Sequence, residues 1–404
     1  MRLLYLTPTA AMGGAERVLL DLLTQLRRVR PDWPIRLIIG NDGPLAADAE
    51  RLGIDTVCLP FPRDFARLGD AGLTSPGTWM QFARYAVRGS VTTVRYLRTL
   101  RRMIATFAPD VVHSNGIKMH LLAAVARPTG SALVWHFHDY PSARPVTRRL
   151  VRTLRRRPTI IVAVSKSVAA DIRQTTGDGV HVETVWNAVD LERFDPCGPQ
   201  LDLDALAGLP PAPAGTVRLG LVATFARWKG HRLFLDMVRA LGRDIPFRAY
   251  IVGGPVYETN ASQWSIDALK ASVAERDLSD RVGLTGFVAD TSAALRALDI
   301  VVHASTKPEP FGLAIAEAMA AARAVVISDA GGVAELVVKE STGLTYRCGS
   351  VEELTSRVRR LLEDGEARAR LGRAAHVAAV RQFDPQRVTT QMLDVYERCA
   401  ERRL

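Results

Sequence analysis

Short runs of apolar residues alternate with helical patterns along most of this chain, and the alternation comes in two series. The first series has strand-like runs at about 2–6, 35–39, 110–113, 132–136, 159–164 and 182–186. The second series has them near 217–223, 247–252, 282–285, 299–302 and 324–327. Nearly all-apolar strands separated by helices are typical of parallel sheets that are covered on both faces. The alternation therefore predicts an α/β fold with two doubly wound parallel-sheet domains in tandem.

A segment rich in proline and glycine separates the two series. It reads "FDPCGPQLDLDALAGLPPAPAGT", shows no helical or strand periodicity, and is typical of an interdomain linker. The predicted organisation is a first domain at 1–195, a linker at 196–215 and a second domain at 216–385. A last helical pattern, at 386–404, follows the complete second domain, and we expect it to pack back on the first.

Metal and disulfide patterns are weak in this sequence. Its four cysteines lie far apart without a C-x-x-C pair, which argues against a metal cluster and for a reducing compartment. Asp202-Leu203-Asp204 resembles a metal-binding D-x-D, but no buried strand precedes it, so we assign it to solvation of the linker. No apolar run approaches the roughly 20 residues that span a bilayer. We therefore expect a cytoplasmic protein without a metal or a resident cofactor.

The net charge of +11 is unevenly distributed. No acid occurs between Asp70 and Asp110, and the arginines of this region recur at helical steps that place them along one stripe: Arg84, Arg88, Arg95, Arg98 and Arg102. Gly89-Ser90 interrupts the stripe, so two helices that share a face are also compatible with it. A second acid-free region contains "RRLVRTLRRR". These faces are either ordinary solvated helix surfaces or a surface that docks on anionic lipid or a polyanion, and docking on lipid would make the protein peripheral on the membrane. A protein partner of the stripe is a further alternative.

A glycine pair follows the first predicted strand, in "TPTAAMGGAERVLLDLL". Gly13 and Gly14 stand where a helix begins, and backbone N–H groups there can approach an anionic ligand closely. The stretch matches neither G-x-G-x-x-G nor the P-loop pattern, so a dinucleotide site and a P-loop both lose support.

Two cations follow the first strand of the second series, in "VRLGLVATFARWKGHRLFLDMV". Arg227 and Lys229 stand between the predicted strand and the next helix, beside Gly230. Lysine as a point charge and arginine as a planar fork both suit a diphosphate. Ordinary loop charge is the alternative explanation.

Two acids, Glu309 and Glu317, mark the stretch "HASTKPEPFGLAIAEAMA". The prolines on either side of Glu309 restrain its backbone, so we expect its carboxylate to be held at the mouth of an interdomain cleft. The helix is predicted to begin near Phe311, which leaves first-turn amides free for a polar ligand: Phe311, Gly312 and Leu313. Acids that accept from hydroxyls and amides that donate to oxygens suit a polyol such as a sugar.

At this point the chain resembles the retaining glycosyltransferases of family 4, which have the GT-B fold of two Rossmann-like domains facing a central cleft. "PEPFGLAIAEAMA" is similar to the signature of that family, two glutamates separated by seven residues. Other segments match in order: "GGAER", "VVHSN", "WHFHDY", "VSKSVAADI", "WNAVDLERF", "ATFARWKGH", "GGPVY", "LTGFV" and "AGGVAELV". The resemblance implies that Glu309 contacts the donor hexose and Glu317 the ribose. It also implies that Lys229 binds the diphosphate, with Gly14 nearby.

The chain departs from the family pattern at Ala223-Thr224, where many members have Gly-Arg. The usual diphosphate arginine is therefore missing, and Arg227 is the expected replacement. The resemblance also implies an active-site histidine, and His138 matches it better than His136 does, while His113 is a further candidate.

The resemblance implies transfer of a hexosyl group from a nucleotide diphosphate sugar, of the UDP or GDP type, to a hydroxyl acceptor. Family habit and the basic charge lead us to expect a sugar or lipid-linked acceptor, as in cell-envelope polysaccharide or glycolipid synthesis. The resemblance further implies attack from the face that the diphosphate leaves, without a metal. A sugar-nucleotide epimerase or a phosphorylase of the same fold remains an alternative, as does a basic non-catalytic binding protein. No RNP-like or zinc-finger motif is present, so nucleic acid is not expected as a partner.

Overall fold

The computed structural model describes residues 1–61, 78–127, 130–255 and 262–401, without the side chains of 78–91. The chain divides into two compact units, each of which is described by itself. Unit 1 comprises Met1–Ala188 and Pro385–Leu404, and unit 2 comprises Val189–Asp384.

Unit 1 is built on one seven-stranded sheet whose paired strands are all parallel. Its strands are β1 (Leu3–Thr7), β2 (Ile35–Ile39), β3 (Asp55–Cys58), β4 (Val111–Asn115), β5 (Ala132–Phe137), β6 (Ile160–Ala163) and β7 (Val182–Thr184). They lie in the order β3-β2-β1-β4-β5-β6-β7, so that the chain starts in the middle of the sheet and builds outward in both directions. This is the doubly wound arrangement that the sequence predicts.

The helices of unit 1 fill the crossovers between these strands. They are α1 (Gly14–Val29), α2 (Pro44–Arg51), α3 (Thr78–Phe107), α4 (Ile117–Ala126), α5 (Pro145–Leu154) and α6 (Lys166–Thr176), and the terminal helix α14 (Pro385–Glu401) joins them. Helix α1 packs into the core of unit 1 through buried leucines at helical spacing: Leu19, Leu20, Leu22, Leu23 and Leu26. Helix α14 contributes Val388, Met392, Val395 and Tyr396 to the same core, because its apolar residues also recur every three or four positions.

Unit 2 repeats the same plan with six parallel strands in the order β10-β9-β8-β11-β12-β13. The strands are β8 (Val217–Val222), β9 (Phe247–Val252), β10 (Val282–Gly286), β11 (Ile300–Val302), β12 (Ala324–Ser328) and β13 (Leu344–Tyr346). Its helices are α7 (Leu203–Ala207), α8 (His231–Ala240), α9 (Ile266–Ala274), α10 (Thr291–Arg296), α11 (Leu313–Ala320), α12 (Val351–Glu363) and α13 (Gly365–Gln382). The predicted fold class, α/β with two Rossmann-like parallel-sheet domains, is confirmed.

Residues 196–215, expected to form a linker, include the short helix α7 and belong to unit 2. The assignment of the D-x-D triplet to solvation is wrong for its second acid. Asp202 is exposed and caps α7, but Asp204 is 3% exposed and pairs with Arg248 at 2.8 Å. Asp204 also accepts from the hydroxyl of Tyr250 at 2.7 Å. The burial of Asp204 therefore depends on cations and a hydroxyl from β8 and β9, which sequence spacing alone does not reveal.

The arginine stripe lies on a single helix, α3, which continues through Gly89 and Ser90. The side chains of Arg84 and Arg88 lie outside the described residues, whereas Arg95, Arg98 and Arg102 are exposed. The opposite face of the helix packs inward through Tyr96, Leu100, Ile104 and Phe107. Among the described helices, none is long and apolar enough to cross a membrane.

Candidate functional site

The strand order of each unit reverses direction at one place, between β1 and β4 in unit 1 and between β8 and β11 in unit 2. Ligands of doubly wound sheets bind beyond the carboxyl ends of the strands at such a switch point. In unit 2 the loop after β8 carries Lys229, and the loop after β11 carries Glu309. The two residues that the sequence singles out most strongly therefore lie at the place where the fold favours a ligand.

Lys229 and Glu309 are in contact. The ammonium group of Lys229 donates to Oε1 of Glu309, and both side chains line one small cavity. The other carboxylate oxygen, Oε2, contacts Nε2 of His303 at 2.7 Å and accepts from the hydroxyl of Ser305 at 2.8 Å. The carboxylate of Glu309, which we expected at the mouth of a cleft, is instead buried at 7% exposure, and its contacts with Lys229, His303 and Ser305 come from within unit 2.

The loop after β8 is shaped by a 3-10 turn at Arg227–Lys229 and by Gly230. Gly230 has a φ of +77°, and a Cβ at this position would lie 1.7 Å from the carbonyl oxygen of Ala304. Only glycine lets the two loops come this close. The amide of Thr306 donates to the carbonyl of Trp228 at 2.8 Å, which ties the loops together beside the Lys229–Glu309 pair.

The helix after Glu309 begins two residues later than predicted. Gly312 is its N-cap with a φ of +91°, and α11 starts at Leu313. A Cβ on Gly312 would lie 2.7 Å from the side chain of Val333, so the fold itself requires this glycine. The first-turn amides without intrahelical partners therefore belong to Leu313 and Ala314 rather than to Phe311. Phe311 is 3% exposed, and its ring packs edge-on against Phe383 at 5.9 Å.

Burial alone would raise the pKa of Glu309, since it disfavours the charged form. The positive charge of Lys229 and the contacts with His303 outweigh that effect and hold the pKa of this carboxyl well below its usual range. Glu309 is therefore an ionised acceptor at neutral pH. Glu317, the other acid of the signature, lies half-buried in the middle of α11.

Arg227 is exposed, and its guanidinium lies over the ring of Trp264 at 4.2 Å. Its amide donates to the carbonyl of Ser262 at 2.9 Å. The stacked guanidinium is thus directed toward Trp264. Its predicted role at a diphosphate stays a prediction.

In unit 1, Gly13 is the N-cap of α1 and Gly14 its first residue. Glu16, at the third helical position, accepts hydrogen bonds from the amide of Gly13 and from its own amide. Burial raises the pKa of Glu16, and the nearby charge of Asp139 raises it further. The amides of Gly13 and Glu16 at the start of α1 are therefore already bonded to a carboxyl group of the same helix. Gly14 remains exposed, with no atom within 4 Å of the place where a Cβ would stand.

Imidazoles with little solvent exposure lie within β4 and at the end of β5. The rings of His136 and His138 lie 4.3 Å apart on the same face, and His113 lies 5.2 Å from His136. Nδ1 of His113 contacts the hydroxyl of Tyr396 on α14 at 2.8 Å. Burial lowers the pKa of His138 to about 4 and that of His113 to about 3, so both rings are neutral at pH 7. Among the described residues, Nε2 of His138 has no hydrogen-bond partner.

Two residues of the unit 2 site were missed by the sequence reasoning, His303 and Ser305. Both occur at the start of the quoted "HASTKPEPFGLAIAEAMA", directly after the buried strand β11. Polar residues at the carboxyl end of a parallel strand were the available signal, but only the folded loop shows that both reach Glu309.

Solved structures of the GT-B type share the fold of the chain. A structure of HepE from Anabaena in complex with UDP-glucose matches with a TM-score of 0.77 and 23% identity, over 98% of this chain and 99% of that one. Sucrose-phosphate synthase from Thermosynechococcus elongatus matches with a TM-score of 0.78 and 17% identity, over 98% of each chain.

Curated relatives are glycosyltransferases. The lipopolysaccharide core biosynthesis mannosyltransferase LpcC of Rhizobium leguminosarum is 35% identical over 45% of this chain and 49% of its own length. The 2-deoxystreptamine glucosyltransferase of Streptomyces kanamyceticus is 30% identical over 54% of this chain and 55% of its own length. The chain thus spans about half the length of these curated relatives.

Two family models match successive parts of the chain. The model for Glycosyltransferase Family 4 matches residues 12–193, and the model for glycosyl transferases group 1 matches residues 211–377. Together they cover most of both units. The chain belongs to the GT-B glycosyltransferases of family 4 and group 1.

Proposed function

We propose that this protein is a retaining, metal-independent glycosyltransferase that moves a hexosyl group from a UDP- or GDP-type sugar to a hydroxyl of a sugar or lipid-linked acceptor. One observation carries the proposal: the pair of Lys229 and Glu309 at the β8/β11 switch point of unit 2. A cation suits the diphosphate of such a donor, and an ionised carboxylate accepts from the hydroxyl groups of its hexose.

Names of relatives and neighbours support the same class of donor. The Anabaena structure is a complex with UDP-glucose, and the Rhizobium relative is a mannosyltransferase of lipopolysaccharide core biosynthesis. We infer a donor of this kind here and an acceptor from cell-envelope polysaccharide or glycolipid synthesis.

In the proposed reaction, the chain positions the donor and stabilises the charge that develops on the departing diphosphate. Lys229 and the first-turn amides of α11 bind the diphosphate, and Arg227 and Gly14 provide further contacts to it. Glu309 orients the hexose, and Glu317 binds the ribose. The acceptor hydroxyl attacks from the face that the diphosphate leaves, and the diphosphate takes the proton of that hydroxyl.

Unit 1 supplies the acceptor side of the proposal. His138 is neutral at pH 7 because burial lowers its pKa to about 4, so its ring can accept a hydrogen bond from a hydroxyl group. Nε2 of His138 meets no partner within the described residues and is the atom that we assign to this role.

The first experiment is a melting-temperature screen against UDP-, GDP-, ADP- and CMP-sugars, since a bound donor stabilises the folded state. With the sugar that raises Tm most, Glu309→Gln should lower kcat about 100- to 1,000-fold, the usual cost of one electrostatic contact in a transition state. Glu340→Gln is the matched control, because Glu340 pairs only on the surface with Arg357 and Arg360 among the described residues. Normal turnover in Glu309→Gln removes Glu309 from the site.

A sugar-nucleotide epimerase or a phosphorylase is the alternative within this fold. Incubation of a labelled donor without an acceptor separates them from a transferase: an epimerase yields a new sugar nucleotide, and a phosphorylase requires inorganic phosphate. A salt-sensitive band shift with RNA, without any binding of sugar nucleotides, favours a basic non-catalytic binding protein instead.

We also propose that the exposed arginine face of α3 docks on anionic lipid. Arg95, Arg98 and Arg102 point outward beside Val94, which is 44% exposed, so cations and an apolar side chain share this face. Each basic residue near an acidic leaflet contributes roughly 1 kcal/mol.

Flotation with vesicles that contain anionic lipid tests this docking. Replacing the three arginines with glutamate should abolish flotation. The matched control replaces three exposed arginines of α13 with glutamate, which makes the same change in charge. These are Arg370, Arg373 and Arg381. Flotation that persists in the α3 variant, or that disappears equally in both, contradicts a specific lipid-docking face.

A further inference from the structure

The two oxygens of the Glu309 carboxylate have different surroundings. Oε1 accepts from Lys229, which is partly exposed, with 19% of its side chain accessible. Oε2 lies on the inner side and contacts His303 and Ser305 at 2.7 and 2.8 Å. His303 is 6% exposed and Ser305 is 1% exposed, so these two contacts are shielded from solvent.

His303 is itself held in place. Its Nδ1 lies 3.2 Å from the hydroxyl of Ser328 at the end of β12, and its carbonyl accepts from the hydroxyl of Tyr346 on β13 at 3.0 Å. Because Nε2 faces a carboxylate, it must carry a hydrogen, and the Ser328 hydroxyl can satisfy Nδ1 whether or not that atom is protonated. The ring therefore has one orientation and donates to Glu309.

The backbone of Glu309 is fixed separately. Its carbonyl accepts from the amide of Gly332 at 2.7 Å, and the residue forms a parallel bridge with Gly331. The main chain is thus positioned by the loop after β12, and the direction of the carboxylate by the donors on Oε2.

We propose that His303 is a positioning residue that keeps Glu309 ionised and directs Oε1 toward the donor while Lys229 binds the diphosphate. This inference rests on the proposed function, in which Lys229 and Glu309 contact the donor. A buried carboxylate is stable only when it is paired and hydrogen-bonded. When the charge of Lys229 is shared with a diphosphate, His303 and Ser305 supply the contacts that Glu309 still needs.

Two substitutions separate a hydrogen-bond donor from a space-filling side chain. His303→Gln places an amide N–H near the position of Nε2, whereas His303→Met fills a similar volume without a donor. We expect His303→Met to lower kcat about 10- to 100-fold, the range for a hydrogen bond to a charged group, while the donor KM changes less than about threefold. His303→Gln should restore most of the lost kcat.

The assays follow the release of UDP from UDP-glucose or of GDP from GDP-mannose. Wild-type kcat in His303→Met overturns the inference, and so does an equal loss in both variants, which would assign the effect to shape. If His303→Met lowers Tm too far for assay, Ser328→Ala takes its place. That change removes the contact to Nδ1 and should lower kcat by a smaller factor, and unchanged kcat in Ser328→Ala also overturns the inference.

The Glu309→Gln background distinguishes failure of this inference from failure of the proposed function. If His303 acts through Glu309, adding His303→Met to Glu309→Gln changes kcat less than about twofold, because interacting residues are not additive. A further full-size loss overturns the inference. Normal kcat in Glu309→Gln alone, or no turnover of either sugar nucleotide by the wild type, overturns the proposed function and the inference with it.

The chain offers a matched control in unit 1. Nε2 of His181 contacts Oε1 of Glu183 at 2.6 Å, so the same kind of pair exists away from the proposed site. His181→Met should leave both kcat and the donor KM unchanged. An equal loss of kcat in this variant would show that the effect of His303→Met is not specific to the site.

Discussion

The two units place side chains of different charge near the switch points of their sheets. In unit 2 the switch point holds an ionised pair, Lys229 and Glu309, within hydrogen-bonding contact. In unit 1, His113 within β4 and His138 directly after β5 are imidazoles that burial keeps neutral. A charged pair suits a diphosphate sugar and a neutral ring suits a hydroxyl group, so the comparison supports donor binding by unit 2 and acceptor binding by unit 1.

The difference follows from partners rather than from burial. Desolvation acts on both sites and disfavours the charged form in each. Glu309 remains charged because a cation and two further contacts meet its oxygens. The imidazoles of His113, His136 and His138 have a tyrosine hydroxyl or each other as described neighbours, and burial is the largest cause of their lowered pKa values.

The largest expected effect is a difference in acid sensitivity between the units. An imidazole whose folded pKa lies below its unfolded value of about 6.5 stabilises the fold above that value, and the stability is lost as the pH falls toward the folded pKa. For His113 and His138, the pH range over which this stability is lost runs from about 6.5 down to their folded pKa values of about 3 and about 4. We expect a loss of about 2 kcal/mol per imidazole between pH 7 and pH 5.

Hydrogen exchange followed by mass spectrometry measures this loss of stability separately for each unit. Peptides from β4 and β5 should lose protection at pH 5 before peptides from β11 and β12 do, after correction for intrinsic exchange rates. Unit 2 also contains an imidazole with a lowered pKa, that of His231, at about 4. Unit 2 should therefore also lose protection at pH 5, but by a smaller amount than unit 1. In His113→Asn, whose amide can still reach Tyr396, the loss in unit 1 should shrink by about 2 kcal/mol. Equal acid sensitivity of the two units contradicts the comparison.

The next effect concerns Lys229. We expect Lys229→Met to weaken binding of the sugar nucleotide about 10- to 100-fold, because a charge-assisted contact to the diphosphate is lost. Titration calorimetry measures the affinity. Lys166→Met, at the first residue of α6 in unit 1, is the control and should bind like the wild type. The pKa of Glu309 should also rise in Lys229→Met, since the charge that lowers it is gone. Unchanged affinity removes Lys229 from the donor site.

The smallest effect distinguishes glycines that the fold requires from a glycine that it does not. At Gly14 a Cβ would meet no atom within 4 Å, whereas at Gly312 it would lie 2.7 Å from Val333. Gly312→Ala should therefore lower Tm by several degrees. Gly14→Ala should keep the wild-type Tm and weaken sugar-nucleotide binding only a few-fold. Wild-type affinity in Gly14→Ala would mean that no ligand approaches the start of α1.

The sequence predicts the strands of both sheets well, except at one edge of each sheet. Eleven apolar runs correspond to strands, but β3 and β13 were missed. β3, "DTVC", is partly exposed and has no continuous apolar run, and β13 has three residues, Leu344–Tyr346. A short or half-exposed edge strand is recognised by its pairing with a neighbour, which local periodicity does not contain.

The site was predictable in its charged residues and not in its contacts. Lys229 and Glu309 stand out because each follows a buried strand beside glycine or proline. Their contact depends on Gly230 allowing the two loops to approach, and the surroundings of Oε2 depend on the register of β11 and β12. Asp204 illustrates the same limit, since its cations lie on strands that follow it in the chain.

The most direct test is a crystal structure of the protein with the sugar nucleotide that raises Tm most. We predict that the diphosphate lies within hydrogen-bond distance of Nζ of Lys229, that a hexose hydroxyl donates to Oε1 of Glu309, and that His303 still contacts Oε2. A donor bound elsewhere, with the Lys229–Glu309 contact undisturbed and no ligand atom near either side chain, would contradict it.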